Sequence, residues 1–430
     1  MHDERDITVD YLARVEGEGG LHLELRGDEV ADLKFRIFEP PRFFEALLRG
    51  RRFGEAPDIT ARICGICPIA YQVSACNAME DAAGVDVPDE LQALRRLIYC
   101  GEWIESHALH VYFLHAPDFL GFESGIAMAE IFPDRIETGL ALKKMGNTLM
   151  TVLGGREIHP INLRVGGFYR VPTRAELDVL VAPLRSALDA AIETTRWVAG
   201  FPFPDFARDY EFVALSHPTE YAIHQGRILS NRGLDIAVDE WPDWFREEHV
   251  EWSNALHART RDGRSYHVGP MARFSLNSDR LTEQARQEAD RAGLGATVNN
   301  PFQSIVVRAV EMVFACEEAL RIIEGYRRPV QPSIPVAPAS ATGHGVSEAP
   351  RGLLYHRYTV DDAGVITDAH IVPPTSQNQL SIEEDLRAFV PGQVHLPDDE
   401  LQWKLEQAIR NYDPCISCAT HFLDFSVERR

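Results

Sequence analysis

Two Cys-x-x-Cys pairs, Cys64/Cys67 and Cys415/Cys418, constrain this chain more than any other feature of its sequence. Two thiolates at this spacing can face the same metal ion, and metal binding keeps them deprotonated. The pairs lie near opposite ends of the 430 residues, much farther apart than the pairs of a zinc ribbon. The sequence therefore predicts a metal site that ties the two ends of the fold together.

Charged residues and a histidine flank the two pairs. Arg62 and Asp413 lie upstream of the first and second pair, and His421 follows the second. A structural zinc site with four cysteine ligands needs none of them, whereas a histidine suits a second ion or proton transfer. Spacing alone leaves the structural zinc site open. The other cysteines fall among apolar residues of predicted helices and are predicted to be inert thiols: Cys76, Cys100 and Cys316.

Composition narrows the class of protein. The chain is 45% hydrophobic and 25% charged, which is typical of a soluble globular protein. Its net charge of −22 argues against nucleic-acid binding, which requires a basic patch. No apolar run reaches the roughly 18 residues of a membrane span, and the charged N-terminus does not resemble a signal peptide. Sparse cysteines favour a reducing compartment, so the expected location is the cytoplasm.

Hydrophobic periodicity predicts a mainly α fold with small β elements (α+β) around a bundle of long helices. Short strands are predicted at 7–12, 21–26, 30–37, 352–360 and 365–372. Helices are predicted at about 91–112, 123–152, 174–199, 279–291, 302–325, 380–389 and 398–411. Residues 329–347 are predicted to be a loop. We expect a single domain over 1–430, with β elements to about residue 40, a helical core at about 41–325, and a metal-binding segment at about 350–430.

Several motifs together resemble one family. Arg62-x-Cys64-Gly65-x-Cys67 and Asp413-Pro414-Cys415-x-x-Cys418-x-x-His421 resemble the two signature motifs of nickel–iron hydrogenase large subunits. Shorter matches follow in the family's order: Arg14-Val15-Glu16-Gly17, Arg42-Phe43-Phe44-Glu45, Gly154-Gly155-Arg156-x-x-His159-Pro160, Ala349-Pro350-Arg351-Gly352 and Pro373-Pro374-Thr375-Ser376-x-Asn378. The resemblance covers nearly the whole chain. Within the family, the chain is most similar to the soluble NAD(P)-linked bidirectional and sulfhydrogenase-like group.

The resemblance implies an enzyme that converts H2 reversibly into two protons and two electrons at a nickel–iron centre. All four thiolates would hold nickel, and Cys67 and Cys418 would also bridge to an iron that carries cyanide and carbonyl ligands. Cys64 and Cys415 would be terminal ligands of nickel, and a terminal thiolate, Cys415, would accept a proton. Glu16 would be the first relay that carries this proton outward.

The resemblance also assigns residues around the metals. Arg351, after Pro350, would lie over the metals and donate to a cyanide ligand. Asp413 would orient Arg351. The Thr375 hydroxyl and the backbone N–H of Ser376 would donate to the other cyanide. Without the resemblance, Arg351 is more typical of a surface turn, and Asp413 is equally typical of a turn or cap. Thr375 is typical of a helix N-cap, a role that is compatible with the one implied by the resemblance.

A hard divalent ion, Mg²⁺ or similar, is implied at a separate site. Glu45 and His421 would bind it, together with a backbone carbonyl near Ile371. His107 and His110 share a predicted helix face, and we expect both to be non-ligands because the four thiolates complete the nickel site.

Two positions depart from the common family pattern. Tyr71 stands where many members have a histidine that bonds to a bridging thiolate, and Ser106 stands where many have an aspartate beside Arg351. Tyrosine can still donate a hydrogen bond but does not titrate near neutrality. His159 is expected either near a partner interface or as a core histidine. The residues after His421, 422–430, are either a mature end or an uncut remnant.

Electrons must leave through partners, because the chain has no further cysteine motif for an iron–sulfur cluster. The resemblance implies an iron–sulfur small subunit of the hydrogenase delta type, together with flavin-containing NAD(P) diaphorase and ferredoxin-like subunits. No nicotinamide site is expected in this chain. The alternatives are a hydrogen-sensing homologue, a quinone-reductase subunit of the complex I type, and a zinc-stabilised structural or interaction protein.

Overall fold

Helices account for more of the fold than strands do. The computed structural model describes residues 4–420. Its α-helices are α1 Phe44–Leu48, α2 Ala56–Thr60, α3 Pro68–Ala83, α4 Asp89–Leu109, α5 Ala116–Leu120, α6 Gly125–Ala129, α7 Pro133–Gly154, α8 Arg174–Val198, α9 Trp241–Trp244, α10 Pro270–Asn277, α11 Glu283–Arg291, α12 Ser304–Gly325, α13 Pro374–Phe389, α14 Asp398–Arg410 and α15 Ile416–Ala419. A π-helical turn, His110–His115, continues α4. None of the helices described is long and apolar enough to cross a membrane.

The strands form small antiparallel sheets. They are β1 Glu4–Val9, β2 Gly19–Arg26, β3 Glu29–Ile37, β4 Leu163–Arg164, β5 Gly167–Phe168, β6 Val213–Ser216, β7 Arg227–Ser230, β8 Asp235–Ile236, β9 Phe245–Val250, β10 Ser253–Thr260, β11 Ala341–Ala349, β12 Gly352–Val360 and β13 Ile366–Val372. The sheets have the strand orders β1-β2-β3, β4-β5, β6-β7-β8, β10-β9 and β11-β12-β13. The predicted mainly α fold with small β elements is confirmed.

The structure differs from three of the secondary-structure predictions. The helix predicted at 123–152 is broken after α6, and α7 begins at Pro133, a favoured first residue of a helix. The segment 329–347, predicted as a loop, ends in strand β11. The helical core predicted at about 41–325 also contains the strands β6–β10 between residues 213 and 260. The single-domain organisation stays a prediction.

The helical core is built around α4. This helix packs against α7 and α12, and α12 also packs against α8. Strand β11 lies directly on α3, and this close approach depends on glycine. A Cβ at Gly343 would overlap the carbonyl oxygen of Ala78, and one at Gly345 would overlap that of Ser74. The sheet β11-β12-β13 is therefore held against the helix that follows the first cysteine pair.

Segments near the two ends of the described residues meet, as the cysteine spacing predicted. Residues of β1–β3 share one apolar core with residues of α13, α14 and the segment that ends in α15. Arg5 of β1 donates to the carbonyl of Leu396 at 2.9 Å. Glu16 and Cys415 form an isolated parallel β-bridge. The N-terminal segment therefore lies beside the second cysteine pair.

A buried ion network joins the helical core to the segment that precedes Arg351. Arg273 of α10 donates to both carboxylate oxygens of Glu311 at 2.8 and 2.7 Å, and to Glu348 at 3.1 Å. It also donates to the backbone carbonyls of Ala349 and Pro350 at 2.8 and 2.9 Å. All three charged side chains are 0% exposed. The network therefore holds the backbone of Ala349 and Pro350, the two residues that precede Arg351.

We expect Arg273→Leu to lower the thermal midpoint of unfolding strongly. The change leaves Glu311 and Glu348 buried with less positive charge, and breaking a buried pair costs about 3–5 kcal/mol. Arg227→Leu is the matched control, because Arg227 and Asp235 form an ion pair with side chains 53% and 62% exposed. Exposed pairs contribute about 0–1 kcal/mol. Equal thermal midpoints of the two variants, measured by circular dichroism, would contradict this account of the network.

Candidate metal centre

Four cysteine sulfurs converge in the interior. Cys67 is the N-cap residue of α3 and Cys415 that of α15, so each pair lies at the start of a helix. The sulfurs of Cys64 and Cys415 are 3.6 Å apart, and those of Cys67 and Cys418 are 3.7 Å apart. All four lie within 4.8 Å of one another and are buried. The predicted meeting of the two pairs is confirmed.

Arg42 links the two cysteine segments, a role that the sequence did not suggest. Its Nη2 donates to the carbonyl of Ile63 at 2.7 Å and to the carbonyl of Ser417. Each carbonyl belongs to the residue just before one of the cysteines. The only signal in the sequence was the position of Arg42 in a motif upstream of the first pair.

Glu102 of α4 is a second residue near the site that the sequence did not indicate. Its carboxylate accepts hydrogen bonds from the backbone N–H groups of Ile69 and Ala70, at 2.6 and 3.1 Å. These donors belong to the first turn of α3, directly after Cys67, where helical N–H groups have no partner within the helix. The contact depends on how α4 packs against α3, so no local pattern could have revealed it.

Glu16 touches the second cysteine pair. Its Oε2 accepts a hydrogen bond from the backbone N–H of Ser417 at 3.0 Å and lies 3.1 Å from the sulfur of Cys415. Burial, followed by repulsion from the Cys64 thiolate, raises the pKa of the Glu16 carboxyl. Glu16 therefore lies within hydrogen-bonding distance of a candidate metal ligand, as the resemblance implied.

Arg351 and Asp413 form a buried pair beside the sulfurs. Arg351 Nε donates to the backbone carbonyl of Asp413 at 2.7 Å, and its Nη2 donates to the Asp413 carboxylate at 3.1 Å. Burial opposes the charge of Arg351, but attraction to Asp413 and to the Cys415 thiolate raises the pKa of the guanidinium above its usual value. The contact expected between Asp413 and Arg351 is therefore present, and Arg351 is not a surface residue.

Thr375 and Ser376 lie in the first turn of α13. Thr375 Oγ1 accepts a hydrogen bond from the backbone N–H of Cys415 at 3.0 Å. The N-cap of α13 is Pro373, so the alternative in which Thr375 is the N-cap is wrong. Ser376 is 0% exposed. The carbonyl of Pro350 accepts from Arg273 at 2.9 Å, which anchors the residue before Arg351.

The two departures from the family pattern are both buried. Tyr71 lies on α3 and Ser106 on α4, and each is 1% exposed. Burial, followed by repulsion from Cys418 and Cys67, raises the pKa of Tyr71 well above its usual value. The Ser106 hydroxyl has no hydrogen-bond partner among residues 4–420, whereas the Tyr71 hydroxyl interacts with the Cys418 sulfur. Tyr71 therefore remains neutral beside the sulfurs.

Of the residues expected to hold a hard ion, Glu45 and Ile371 are among the described residues. Glu45 of α1 accepts a hydrogen bond from the backbone N–H of Ile371 at 2.7 Å, so the two expected neighbours do meet. His421 lies outside the described residues.

The other histidines bond elsewhere. His107 contacts Glu311 at 2.9 Å, and His110 contacts the carbonyl of Arg410 at 2.8 Å. His159 Nδ1 lies 2.6 Å from the carbonyl of Ala61.

The donor set fits a soft transition metal. Thiolates are the ligands that nickel, zinc and iron–sulfur centres share, so four converging sulfurs can hold such an ion. Backbone N–H groups of Ile66 and Cys67 lie 3.3 and 3.4 Å from the Cys64 sulfur, where they favour its thiolate form. A closed structural zinc site does not need a carboxyl group at one sulfur and a buried guanidinium nearby. The surroundings therefore favour a reactive centre.

Comparison with known proteins gives the family. The nickel-dependent hydrogenase family model matches residues 42–130 and 247–421. Sulfhydrogenase 1 subunit alpha of Pyrococcus furiosus is 35% identical over 96% of this chain and 97% of its own length. The NAD-reducing hydrogenase HoxS subunit beta of Cupriavidus necator is 28% identical over 97% of this chain and 95% of its own length.

Solved structures agree with these sequence matches. An NAD+-reducing [NiFe]-hydrogenase in its H2-reduced state superposes with a TM-score of 0.87 at 26% identity, covering 98% of this chain and 100% of that one. A [NiFeSe]-hydrogenase from Dm. baculatum, at 21% identity and a TM-score of 0.78, shares the fold over 97% of this chain and 100% of that one. With the four converging sulfurs, these matches show that the chain belongs to the nickel-dependent hydrogenase family and is a hydrogenase catalytic subunit.

Proposed function

We propose that the chain oxidises H2 reversibly to two protons and two electrons at a nickel–iron centre held by its four thiolates. In this assignment Cys67 and Cys418 would hold both nickel and iron, and Cys64 and Cys415 would hold nickel alone. The meeting of the two motifs supports it, because the Cys64 and Cys67 sulfurs of the first motif lie 3.6 and 3.7 Å from the Cys415 and Cys418 sulfurs of the second. The observation that carries the proposal is the convergence of four buried sulfurs with Glu16 in contact with one of them.

Glu16 is proposed to move the proton. When bound, the metal pair supplies the Lewis acid at which H2 is split and the route by which electrons leave. The Cys415 sulfur takes the proton and passes it to Glu16 Oε2, which lies 3.1 Å away. The Ser417 N–H holds that carboxylate oxygen in place. Glu16 releases the proton outward, which returns both groups to their starting states.

Arg351, Thr375 and Ser376 are proposed to donate hydrogen bonds to the two cyanide ligands of the iron. Arg351 would donate to one cyanide, since its Nη1 has no protein hydrogen-bond partner among the described residues. The Thr375 hydroxyl and the Ser376 N–H would donate to the other cyanide. Asp413 orients Arg351, and Pro350 fixes the backbone beside it. The iron would also carry a carbonyl ligand.

Two further roles are proposed at the edge of the centre. Glu45, His421 and a backbone carbonyl near Ile371 would hold Mg²⁺ or a similar ion, and the contact between Glu45 and Ile371 supports this proposal. Tyr71 and Ser106 tune the centre in place of the histidine and aspartate common in the family. Tyr71 does so as a neutral group, because its buried hydroxyl does not titrate near pH 7.

Electrons are proposed to leave through other subunits. An iron–sulfur small subunit receives them, and flavin-containing diaphorase and ferredoxin-like subunits carry them to NAD(P). The support is the likeness to a protein named NAD-reducing hydrogenase and to a solved structure titled NAD+-reducing [NiFe]-hydrogenase. We further propose that the chain is one domain and works in the cytoplasm.

The acceptor is tested with the purified complex under H2. We expect the complex to reduce NAD+ or NADP+ under H2 and not under argon. The reduction is measured by the absorbance of the reduced nicotinamide. Reduction of an artificial dye without reduction of either nicotinamide would contradict the acceptor and leave the hydrogenase reaction intact. Very slow turnover with every acceptor would instead favour the hydrogen-sensing alternative.

A further inference from the structure

The two helices that begin at cysteines lack the usual side-chain cap. Cys67 is the N-cap residue of α3 and Cys415 is that of α15, and neither side chain accepts a hydrogen bond from the first turn of its own helix. Residues preferred at this position have side-chain oxygens that accept from the backbone N–H of the second or third helical residue. Both sulfurs lie in the four-sulfur group of the centre instead. The first turn of each helix therefore needs an acceptor from elsewhere in the chain.

Glu102 of α4 supplies the acceptor for α3. The first residue of α3 is Pro68, which has no N–H, so the open donors of the first turn are the second and third residues, Ile69 and Ala70. Glu102 Oε2 accepts from Ile69 at 2.6 Å, and Oε1 accepts from Ala70 at 3.1 Å. These are the two N–H groups that an N-cap side chain bonds. Glu102 therefore caps α3 from outside the helix.

Glu16 makes the corresponding contact at the second cysteine pair. It accepts from the N–H of Ser417, the second residue of α15. The two glutamates differ in one respect. Glu16 Oε2 also lies 3.1 Å from the Cys415 sulfur, whereas the hydrogen bonds of Glu102 within residues 4–420 go to the backbone of α3. Glu102 is therefore placed to hold a helix and not to exchange a proton with a sulfur.

The Glu102 carboxyl is buried without a cation. It is 0% exposed, and no ion pair among residues 4–420 includes it, whereas its neighbour Glu105 pairs with Lys143 at 2.8 Å. Burial raises the pKa of Glu102, and the hydrogen bond from Ile69 is the first influence that opposes this. A buried carboxyl is costly unless polar groups bond it, and the N–H groups at the positive end of a helix do so. The cap is therefore the interaction that holds Glu102 in the interior.

Neighbouring side chains hold Glu102 at a fixed position. Tyr99 and Trp103 flank it on α4, and both bond to strand β11. The Tyr99 hydroxyl donates to Ser347 Oγ at 2.9 Å, and Trp103 Nε1 donates to the carbonyl of Glu348 at 3.0 Å. Ser347 Oγ also lies 3.2 Å from a backbone carbonyl in the first turn of α3. The elements α3, α4 and β11 are therefore joined at the turn that follows the first cysteine pair.

We propose that Glu102 is a positioning residue, which caps α3 in place of the Cys67 side chain and so holds the Cys67 sulfur at the metal centre. Since α3 starts directly after Cys67, a shift of its first turn moves the sulfur. The cap itself depends only on the polypeptide. Its effect on the centre rests on the proposed function.

The first test measures hydrogen–deuterium exchange of the Ile69 and Ala70 amides in the purified complex, by mass spectrometry with fragmentation to single residues. Glu102→Leu removes both acceptor oxygens, and we expect it to speed the exchange of both amides about 10-fold, the usual effect of losing a helix cap. Glu102→Gln keeps one acceptor oxygen, so one of the two amides should stay protected. Wild-type exchange of both amides in both variants would overturn the proposal.

Glu105→Gln is the matched control for this test. It also changes a buried carboxyl of α4, at 2% exposure, but the Glu105 carboxyl bonds Lys143 and not α3. We expect the control to leave the exchange of the Ile69 and Ala70 amides unchanged. Equal acceleration in Glu105→Gln and Glu102→Gln would show a general loosening of α4 and would overturn the proposal. The exchange rates are readable whatever metal the centre holds.

The second test is infrared spectroscopy of the same variants. Because Cys67 would hold iron, we expect Glu102→Gln to shift the bands of iron-bound cyanide and carbon monoxide, and Glu105→Gln to shift them less. Both glutamates are close enough to the Cys64 thiolate for its charge to raise their pKa, so both substitutions change the electrostatics of the centre. Equal shifts would overturn the positioning role. A wild-type complex without such bands would contradict the nickel–iron centre, and the exchange test would still decide the cap.

Discussion

Replacing Cys418 with serine is expected to abolish hydrogen turnover and to leave the purified chain with almost no nickel or iron. Cys418 lies 3.7 Å from Cys67 and is 2% exposed, so no other described side chain or solvent can readily take its place. A serine hydroxyl is a harder donor than a thiolate and stays protonated near neutral pH, so it binds a soft metal poorly. The three remaining thiolates would then hold an incomplete site.

The control for this substitution is Cys76→Ala. Cys76 is a fully buried thiol of α3, and burial raises its pKa to about 12, so it is an inert thiol outside the centre. We expect this variant to keep its metals and most of its activity. Both variants are checked by circular dichroism so that loss of the fold is recognised. Wild-type turnover and metal content in a folded Cys418→Ser variant would contradict the metal assignment.

Glu16→Gln is expected to slow proton exchange at an assembled centre by about 100-fold or more, the usual contribution of a positioned acid–base group. Glutamine has nearly the same shape, and its amide oxygen can still accept from the Ser417 N–H. It cannot take up a proton from the Cys415 sulfur near neutral pH. The measurement is isotope exchange between H2 and D2O, made together with metal analysis of the same sample.

Glu18→Gln is the matched control for the relay. It makes the same chemical change two residues later, at an exposed position. We expect this variant to exchange isotopes at the wild-type rate. If Glu16→Gln and Glu18→Gln exchange equally fast with full metal content, Glu16 is not the relay.

Much of the site could be predicted from the sequence because its residues occur in short, distinctive motifs. The cysteine pairs predicted a site that joins the chain ends, and their four sulfurs do converge. The motifs around Glu16, Arg351 and Asp413 predicted neighbours that lie in contact. Hydrophobic periodicity predicted the ends of the long helices α8 and α12 to within about two residues, because their apolar faces are regular.

What the sequence could not predict depends on tertiary packing. Strand β11 was hidden in a segment rich in proline, serine and alanine, and it forms because Gly343 and Gly345 allow it to lie against α3. Arg42 and Arg308 act through carbonyl groups of distant residues, which no sequence pattern marks. The π-helical turn continued the periodicity of α4, so the sequence did not distinguish it from an α-helix.

The most direct test of the central claim is metal analysis of the purified complex combined with infrared spectroscopy. The account predicts nickel bound to this chain at about one ion per chain, a ratio set by its single set of four soft thiolate ligands. It also predicts infrared bands in the region of metal-bound cyanide and carbon monoxide. Zinc in place of nickel, with no bands in that region, would contradict the nickel–iron centre and favour a structural metal site.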